Sequence, residues 1–407
     1  MSKSKIIIDP TKIDWFLTHA VEHVYPSREA LREKLMSGER ISVYLGFDPT
    51  GPVLHLGHTI TLQKLRELQE LGHRIIWLIG DFTAMIGDPT DKSAARQQLT
   101  REEVLQNCKN YKQQASKILK FDGPNPVEIK FNNDWLGKMS FKDVVDLASH
   151  FTVQQMMKRD MFEKRMVDDK PIFIHEFLYP LMQGYDSVAM DVDLEVCGND
   201  QTFNALAGRT LMKEIKHKEK FVLTTKLLTD SSGKKMSKTE GALITLADSP
   251  EDMYGKVMSW SDGMIVPGFE ICTDATSKEV DAVRQGLKKG ENPMTLKREL
   301  ARRIVAWLIG ESAADRAAEH FSKMHQKHEK PEEIPVVRVG AIHELPLPDA
   351  LVLSKLVTSK TEARRQIEQG GIKVDDRQIT DPKAIIKIGA KGTVIQKGKR
   401  YFVKLKL

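Results

Sequence analysis

Cysteine is scarce. Cys108, Cys197 and Cys272 are the only three in 407 residues. They lie far apart and no two have metal-ligand spacing, which excludes a disulfide framework and a zinc knuckle and leaves structural thiols in a reducing compartment. Long apolar runs are missing as well. None reaches the ~20 residues that cross a bilayer. The short run Ile6–Ile8 soon meets Asp9-Pro10 and is too brief for a signal-peptide core, so the expected location is the cytoplasm, with no membrane partner. There is no internal repeat and no low-complexity tract. What remains, 41% hydrophobic and 29% charged residues, describes a soluble globular chain of two or three domains.

Charge is unevenly spread. Residues 341–407 carry 14 Lys plus Arg against 7 Asp plus Glu, while the whole chain is only +6. A small basic module on a near-neutral body points to a polyanionic partner.

The strongest local pattern runs from Gly46 to His58, Gly-Phe-Asp-Pro-Thr-Gly-Pro-Val-Leu-His-Leu-Gly-His. A strand-like run, Ile41–Leu45, precedes it. A helix-like run with Leu62, Leu65, Leu68 and Leu71 follows, stopped at Gly72, and Arg74–Gly80 reads as the next strand. Strand, helix, strand at this spacing is a βαβ unit, hence part of a parallel sheet whose ligands sit beyond the carboxyl ends of its strands. His55 and His58 therefore stand at the entrance of a helix, where free backbone N–H groups favour phosphate. As zinc ligands they lack both a third ligand and the glutamate of a zinc-protease pair; no metal site is expected. Gly57 lets a nucleotide approach the backbone, and Thr50 adds a hydroxyl donor.

Residues 101–165 read as mainly helical. Phe177–Gly184 and Val188–Val196 read as a helix and then a strand, Phe221–Leu228 as another strand, and Leu296–Leu308 as an amphipathic helix. The stretch from His328 to Pro335 has linker composition, and Gly392–Gln396 and Tyr401–Leu407 read as two closing strands.

After Ser231-Ser232-Gly233 comes Lys234-Lys235-Met236-Ser237-Lys238. Together with the His55/His58 segment it resembles the paired HIGH and KMSKS signatures of class I aminoacyl-tRNA synthetases, in which Lys235 and Lys238 would act on the ATP phosphates. Lys92 and Arg96, just after Asp88-Pro89-Thr90, form a second basic segment suited to clamp pyrophosphate. On the helix around Tyr179, Gln183 and Asp186, the spacings of four and three residues put these side chains on one face.

With that context the chain resembles bacterial tyrosyl-tRNA synthetases. The resemblance implies that Tyr44 and Asp186 hydrogen-bond a substrate phenol, and that Asp88, Tyr179 and Gln183 bind its ammonium, with Gln201 near the amino acid. The segment Cys197-Gly198-Asn199-Asp200-Gln201 is similar to the family's GG(S/T)DQ, with Cys197 in place of its first glycine and Asn199 in place of a small hydroxyl residue. By that match Gly198 and Asp200 approach the ATP ribose, and Gly46, Asp48 and Gly57 complete the nucleotide site. The tail resembles an S4 RNA-binding domain, in which Arg364, Arg365 and Lys373 would meet tRNA. The implied architecture is α/β: a Rossmann-like doubly wound parallel sheet over 1–244 with a helical insertion at about 101–165, a helical anticodon-side domain over 245–330, a linker at 331–345, and the small α+β S4-like domain over 346–407. The implied substrates are L-tyrosine, ATP accompanied by Mg²⁺, and tRNA(Tyr), with no tightly bound cofactor and a homodimeric assembly. Tryptophanyl-tRNA synthetases share the fold, but Tyr44, Asp186 and the tail point away from them. A small nucleotidyltransferase with a HIGH-like motif would lack the tail.

Overall fold

Short apolar runs bounded by turn residues become one six-stranded sheet: β1 (Val21–Tyr25), β2 (Ser42–Phe47), β3 (Arg74–Ile79), β4 (Glu128–Phe131), β5 (Leu194–Gly198) and β6 (Phe221–Thr225). The computed structural model describes residues 5–89, 99–229, 243–326, 334–340, 343–389, 392–398 and 401–407. These fall into two compact units, 1–314 and 315–407, so the helices over 245–314 belong with the sheet.

The spatial order is β1-β6-β5-β2-β3-β4. β2 to β6 are all parallel to their neighbours, and β1 joins β6 antiparallel at the edge. From β2 the chain winds outward through β3 to β4, then returns to lay β5 on the other side of β2. The doubly wound sheet expected above is therefore present, and its switch point lies between β2 and β5. There the ladder is short, with Val43 opposite Leu194 and Tyr44 opposite Glu195. Beyond those pairs the two strands part.

The β2–β3 crossover is the helix Leu56–Glu70. Its leucine row, Leu62, Leu65 and Leu68, is fully buried, about 2 kcal/mol of transfer free energy for each side chain. Gly72 ends the turn at φ +93°, and a β-carbon there would lie 2.4 Å from the Lys5 carbonyl oxygen; only glycine fits both demands.

Three local expectations change. The stretch 101–165 also holds strand β4, which pairs Ile129 and Phe131 with Trp77 and Ile79. The helix Ile174–Met190 runs through Val188 because its apolar face packs on the helix Thr202–Lys216; Asp191, at φ +50°, stops it and the strand begins only at Leu194. In the stretch expected as a linker, Val336–Arg338 forms an edge strand beside Tyr401–Lys406, as its β-branched residues favour.

The second unit takes in most of the helix Glu311–Gln326 and, beyond it, a five-stranded sheet, a two-stranded sheet pairing Glu344–Pro346 with Ile385–Lys387, and the helices Leu347–Leu353 and Lys360–Glu368, with a core of Leu347, Leu351, Ile367, Ile372, Ile395 and Leu405.

The two helices behind the switch point meet through glycines. A β-carbon on Gly184 would lie 3.0 Å from the Gly208 backbone nitrogen and 3.0 Å from Leu211 Cδ1. Gly184→Val is expected to force them apart and lower stability by about 2 kcal/mol. Urea melts check this as a lower midpoint with unchanged slope; a midpoint at the original value would show that the pair has slack.

Candidate active site

Where β2 and β5 part, a cleft of about 760 Å³ opens, lined by the carboxyl ends of β2, β3 and β5, the start of the Leu56–Glu70 helix and one face of Ile174–Met190. Tyr44, Gly46, Asp48, Thr50, His55, Gly57, His58, Asp88, Tyr179, Gln183, Asp186, Gly198, Asp200 and Gln201 all line it. Residues drawn from four separate stretches of sequence thus share one cavity.

Asp186 is almost completely buried in the cleft wall, 2% exposed. Its Oδ1 accepts from Trp135 Nε1 at 2.7 Å and its Oδ2 from Asn132 Nδ2 at 3.3 Å. Burial pushes its carboxyl well above the ordinary value of 3.8, opposed by those two donors. Neither Trp135 nor Asn132 was recognised from sequence; both stand just after β4, the strand hidden within a helical stretch. Asn132 also accepts from Phe82 N (2.8 Å) and donates to Thr83 Oγ1 (3.0 Å). Thr83 in turn donates to Asp48 Oδ1 at 2.6 Å.

Tyr44 lies alongside. Its hydroxyl is 3.0 Å from Ser187 Oγ, and burial first, then the nearby Glu195 and Asp186, push its ionisation far up, so it stays a neutral phenol. Tyr179 is held neutral by burial and by Asp48, to whose Oδ2 it donates at 2.7 Å. Asp88 is gripped from two sides: Gln201 Nε2 donates to Oδ2 at 2.7 Å and Arg159 to Oδ1 at 3.0 Å. The sequence reading had no role for Arg159. Its buried guanidinium over the Phe162 and Phe203 rings has no short-range signature.

At the helix entrance the two imidazoles stack, centroids 3.8 Å apart. His58 Nδ1 accepts from the His55 backbone N–H at 3.0 Å, which assigns the proton of a neutral ring to Nε2 and leaves a donor there. A β-carbon on Gly57 would press on the His55 ring at 3.1 Å. One on Gly198 would meet Asp200 Oδ1 at 2.6 Å, so the absence of side chains at both positions keeps their neighbours in place. The strand continues regularly through Cys197 and Gly198, opposite Thr224 and Thr225, and Asn199 Oδ1 accepts from Thr202 and Thr224.

Lys92, Arg96, Lys235 and Lys238 lie outside the described residues. Leu227 and Leu228 before the Lys234–Lys238 segment, and Leu243 and Ile244 after it, do line the cleft. Arg364, Arg365 and Lys373 are exposed on the second unit. The cleft thus offers a buried acid with a phenol beside it at one end and imidazole donors on a helix N-terminus at the other, an arrangement suited to an amino acid and a nucleotide.

Residues 36–326 match the family model of class I tRNA synthetases (W and Y), the class to which the doubly wound sheet and its cleft correspond. Residues 326–405 match the C-terminal domain of SYY-like tyrosine–tRNA ligases. The tyrosine–tRNA ligase of Moorella thermoacetica is 43% identical over 394 residues, 96% of this chain and 94% of that protein. That of Thermotoga maritima is 43% identical over 381 residues, 93% of this chain and 94% of that protein. Among solved structures, a C-terminally truncated mitochondrial tyrosyl-tRNA synthetase from Coccidioides posadasii superposes with TM-score 0.60 at 25% identity, over 76% of this chain and 90% of that one. The Archaeoglobus fulgidus tyrosyl-tRNA synthetase complexed with L-tyrosine has the same fold, TM-score 0.59 at 23% identity, over 76% of this chain and 100% of that one. The chain belongs to the tyrosine–tRNA ligase family of class I aminoacyl-tRNA synthetases.

The buried acid has a pH signature. The folded protein holds the Asp186 proton more tightly than the unfolded chain, whose carboxyl titrates near 4. As pH rises from there through the folded value, the group costs increasing stability. Asp186→Asn is therefore expected to raise the melting temperature of the ligand-free protein, by more at about pH 8 than at about pH 5. An equal shift at both would mean that the carboxyl does not titrate differently on folding.

Proposed function

We propose that the cleft activates L-tyrosine with ATP and that the chain transfers the tyrosyl group to tRNA(Tyr). The observation that carries this reading is Asp186: an almost completely buried carboxylate at the cleft floor, beside the neutral phenol of Tyr44. A substrate hydroxyl supplies a further donor to that acid. Phenylalanine supplies none and leaves it short of a partner, a discrimination for which this enzyme family is itself the standard illustration.

On this reading Asp88, Tyr179, Gln183 and Gln201 face the substrate ammonium. Gly46, Asp48, Thr50, Gly57, Gly198 and Asp200 hold the nucleotide, and His55 and His58 donate to its phosphates. A tyrosine carboxylate oxygen attacks the α-phosphorus and pyrophosphate leaves. A terminal ribose hydroxyl of tRNA then attacks the carbonyl carbon of the adenylate, and AMP leaves. No enzyme nucleophile is required. Positioning and neutralisation of developing charge carry the rate, and Mg²⁺ enters as the counter-ion of ATP. Lys92, Arg96, Lys235 and Lys238 act on the departing pyrophosphate, where contacts that tighten in the transition state raise kcat. The second unit serves as the S4-like tRNA handle, with Arg364, Arg365 and Lys373 on phosphates; the work is done in the cytoplasm.

ATP–pyrophosphate exchange with tyrosine, tryptophan and phenylalanine side by side tests both parts. Exchange should require tyrosine, vanish in Asp186→Ala, and persist after deletion of residues 341–407, while tRNA charging falls by at least about a hundredfold with that deletion. Robust exchange with tryptophan, or by Asp186→Ala, would overturn the assignment. An equal loss of both steps on truncation would make the tail a folding element.

Exposed apolar side chains gather between residues 141 and 174, including Phe141 (85% exposed), Val167 (86%) and Ile174 (80%). Such exposure fits burial against a second copy. Sedimentation should give twice the chain mass, reduced to a single chain by Val167→Glu with Ile174→Glu; a monomeric parent protein would rule the dimer out.

A further inference from the structure

Directly behind the cleft lies Lys220, the residue before β6, with no solvent exposure. An ammonium has three hydrogens and no acceptor, and here all three are placed. One goes to Ser187 Oγ at 2.8 Å, one to the carbonyl of Ala205 at 3.3 Å, and one to Glu195 Oε2. The ammonium also sits 5.6 Å from the centre of the Tyr44 ring. It reaches this position only because residue 208 is glycine: a β-carbon there would lie 2.6 Å from Lys220 Nζ and 2.9 Å from Ser187 Oγ.

Each of those partners leads to a wall of the cleft. Ser187 holds the Tyr44 hydroxyl. Glu195, itself 2% exposed, accepts from Gln183 Nε2 at 2.9 Å. Ala205 adjoins Asn204, whose Nδ2 donates to Gln183 Oε1 at 3.0 Å and to Gln201 Oε1 at 2.8 Å. Gln201 then donates to Asp88. The hydrogen-bond directions are dictated in sequence. A carboxylate paired with an ammonium can only accept, so Gln183 must turn its NH₂ toward Glu195. Its carbonyl oxygen is thereby presented as an acceptor, which is what a substrate ammonium requires. A neutral amide in place of Glu195 could meet the NH₂ or the carbonyl of Gln183, leaving Asn204 Nδ2 as the one described partner that still favours this orientation.

We infer that Lys220 is a positioning residue for both ends of the proposed tyrosine pocket, setting Tyr44 through Ser187 and the amide of Gln183 through Glu195. This rests on the reading of the cleft as a tyrosine site. Exchange by the unaltered protein is therefore measured first: if tyrosine supports none, it is that reading that fails.

Lys220→Met alone strands a buried carboxylate and risks unfolding, so the informative variant is the charge-neutral pair Glu195→Gln/Lys220→Met. Its tyrosine KM is expected to rise about tenfold, with the KM for ATP held within about twofold. The preference for tyrosine over phenylalanine should narrow. Two competitive inhibitors separate the ends. Tyramine keeps the ammonium, and 3-(4-hydroxyphenyl)propionate keeps only the phenol and the carboxylate. Both should bind more weakly, tyramine by the larger factor. A folded double variant with a lowered melting temperature but an unchanged tyrosine KM would reduce Lys220 to a structural ion pair. Equal weakening of the two inhibitors would also overturn the inference, because nothing would then reach the ammonium end.

Discussion

The ladder between β2 and β5 fails after Tyr44 and Glu195, and the chemistry of the molecule follows from that break. Parallel strands that lose their pairing leave a gap inside an otherwise buried sheet. Polar groups facing such a gap cost free energy unless they find partners. The cleft wall is accordingly a set of linked hydrogen bonds: Trp135 and Asn132 on Asp186, Thr83 and Tyr179 on Asp48, Gln201 and Arg159 on Asp88, Gln183 on Glu195. Four carboxylates around one cavity repel each other, and the cations and amides around them offset that repulsion. The site has been bought with stability: Asp186 lies deep enough for burial to outweigh its two donors.

On the proposed reading of the cleft, this cost is also what would make the pocket selective. A ligand hydroxyl at Asp186 adds a donor where one is short, so binding relieves a penalty already present in the empty protein. A ligand without the hydroxyl displaces water and leaves the penalty in place. The close approach of the two helices through Gly184 and Gly208 belongs to the same design. It brings Ser187, Asn204 and Lys220 near enough to brace side chains that would otherwise swing into the gap.

The parts of this arrangement that sequence disclosed are those in which chemistry and position coincide within a few residues. His55 and His58 at a helix start, Tyr179, Gln183 and Asp186 on one helix face, and the glycines that let chains approach are local patterns. What sequence did not disclose depends on partners far along the chain. Trp135 and Asp186 are 51 residues apart, Arg159 and Asp88 are 71, and Lys220 and Glu195 are 25. A tryptophan, an arginine or a lysine in isolation reads as core or surface, and only the topology that brings β4, β5 and β6 around β2 gives it a partner. Strand β4 was hidden for a related reason: Glu128 and Lys130 interrupt its apolar residues, and four residues are too few for alternation to stand out among helices.

The pairing of the two signature motifs has a physical counterpart in the backbone. Leu56 donates to the carbonyl of Ile244 at 2.9 Å, and Leu246 donates to the carbonyl of Leu54 at 2.8 Å. The chain leaving the lysine-rich segment is thus hydrogen-bonded on both sides of His55, nearly two hundred residues earlier in sequence. On the other side of that segment, Lys226 N bonds to the carbonyl of Ala20 at 2.9 Å, which ties its start to the strand edge. The described residues on either side of the lysine-rich segment are therefore bonded to the frame that carries the imidazoles. On the proposed reading of the cleft, such bonding raises the effective concentration of the cationic segment at the phosphates. On that same reading the histidines and the lysines would serve one nucleotide, and the backbone bonds between their flanking residues are the physical reason the two motifs carry more information together than either does alone.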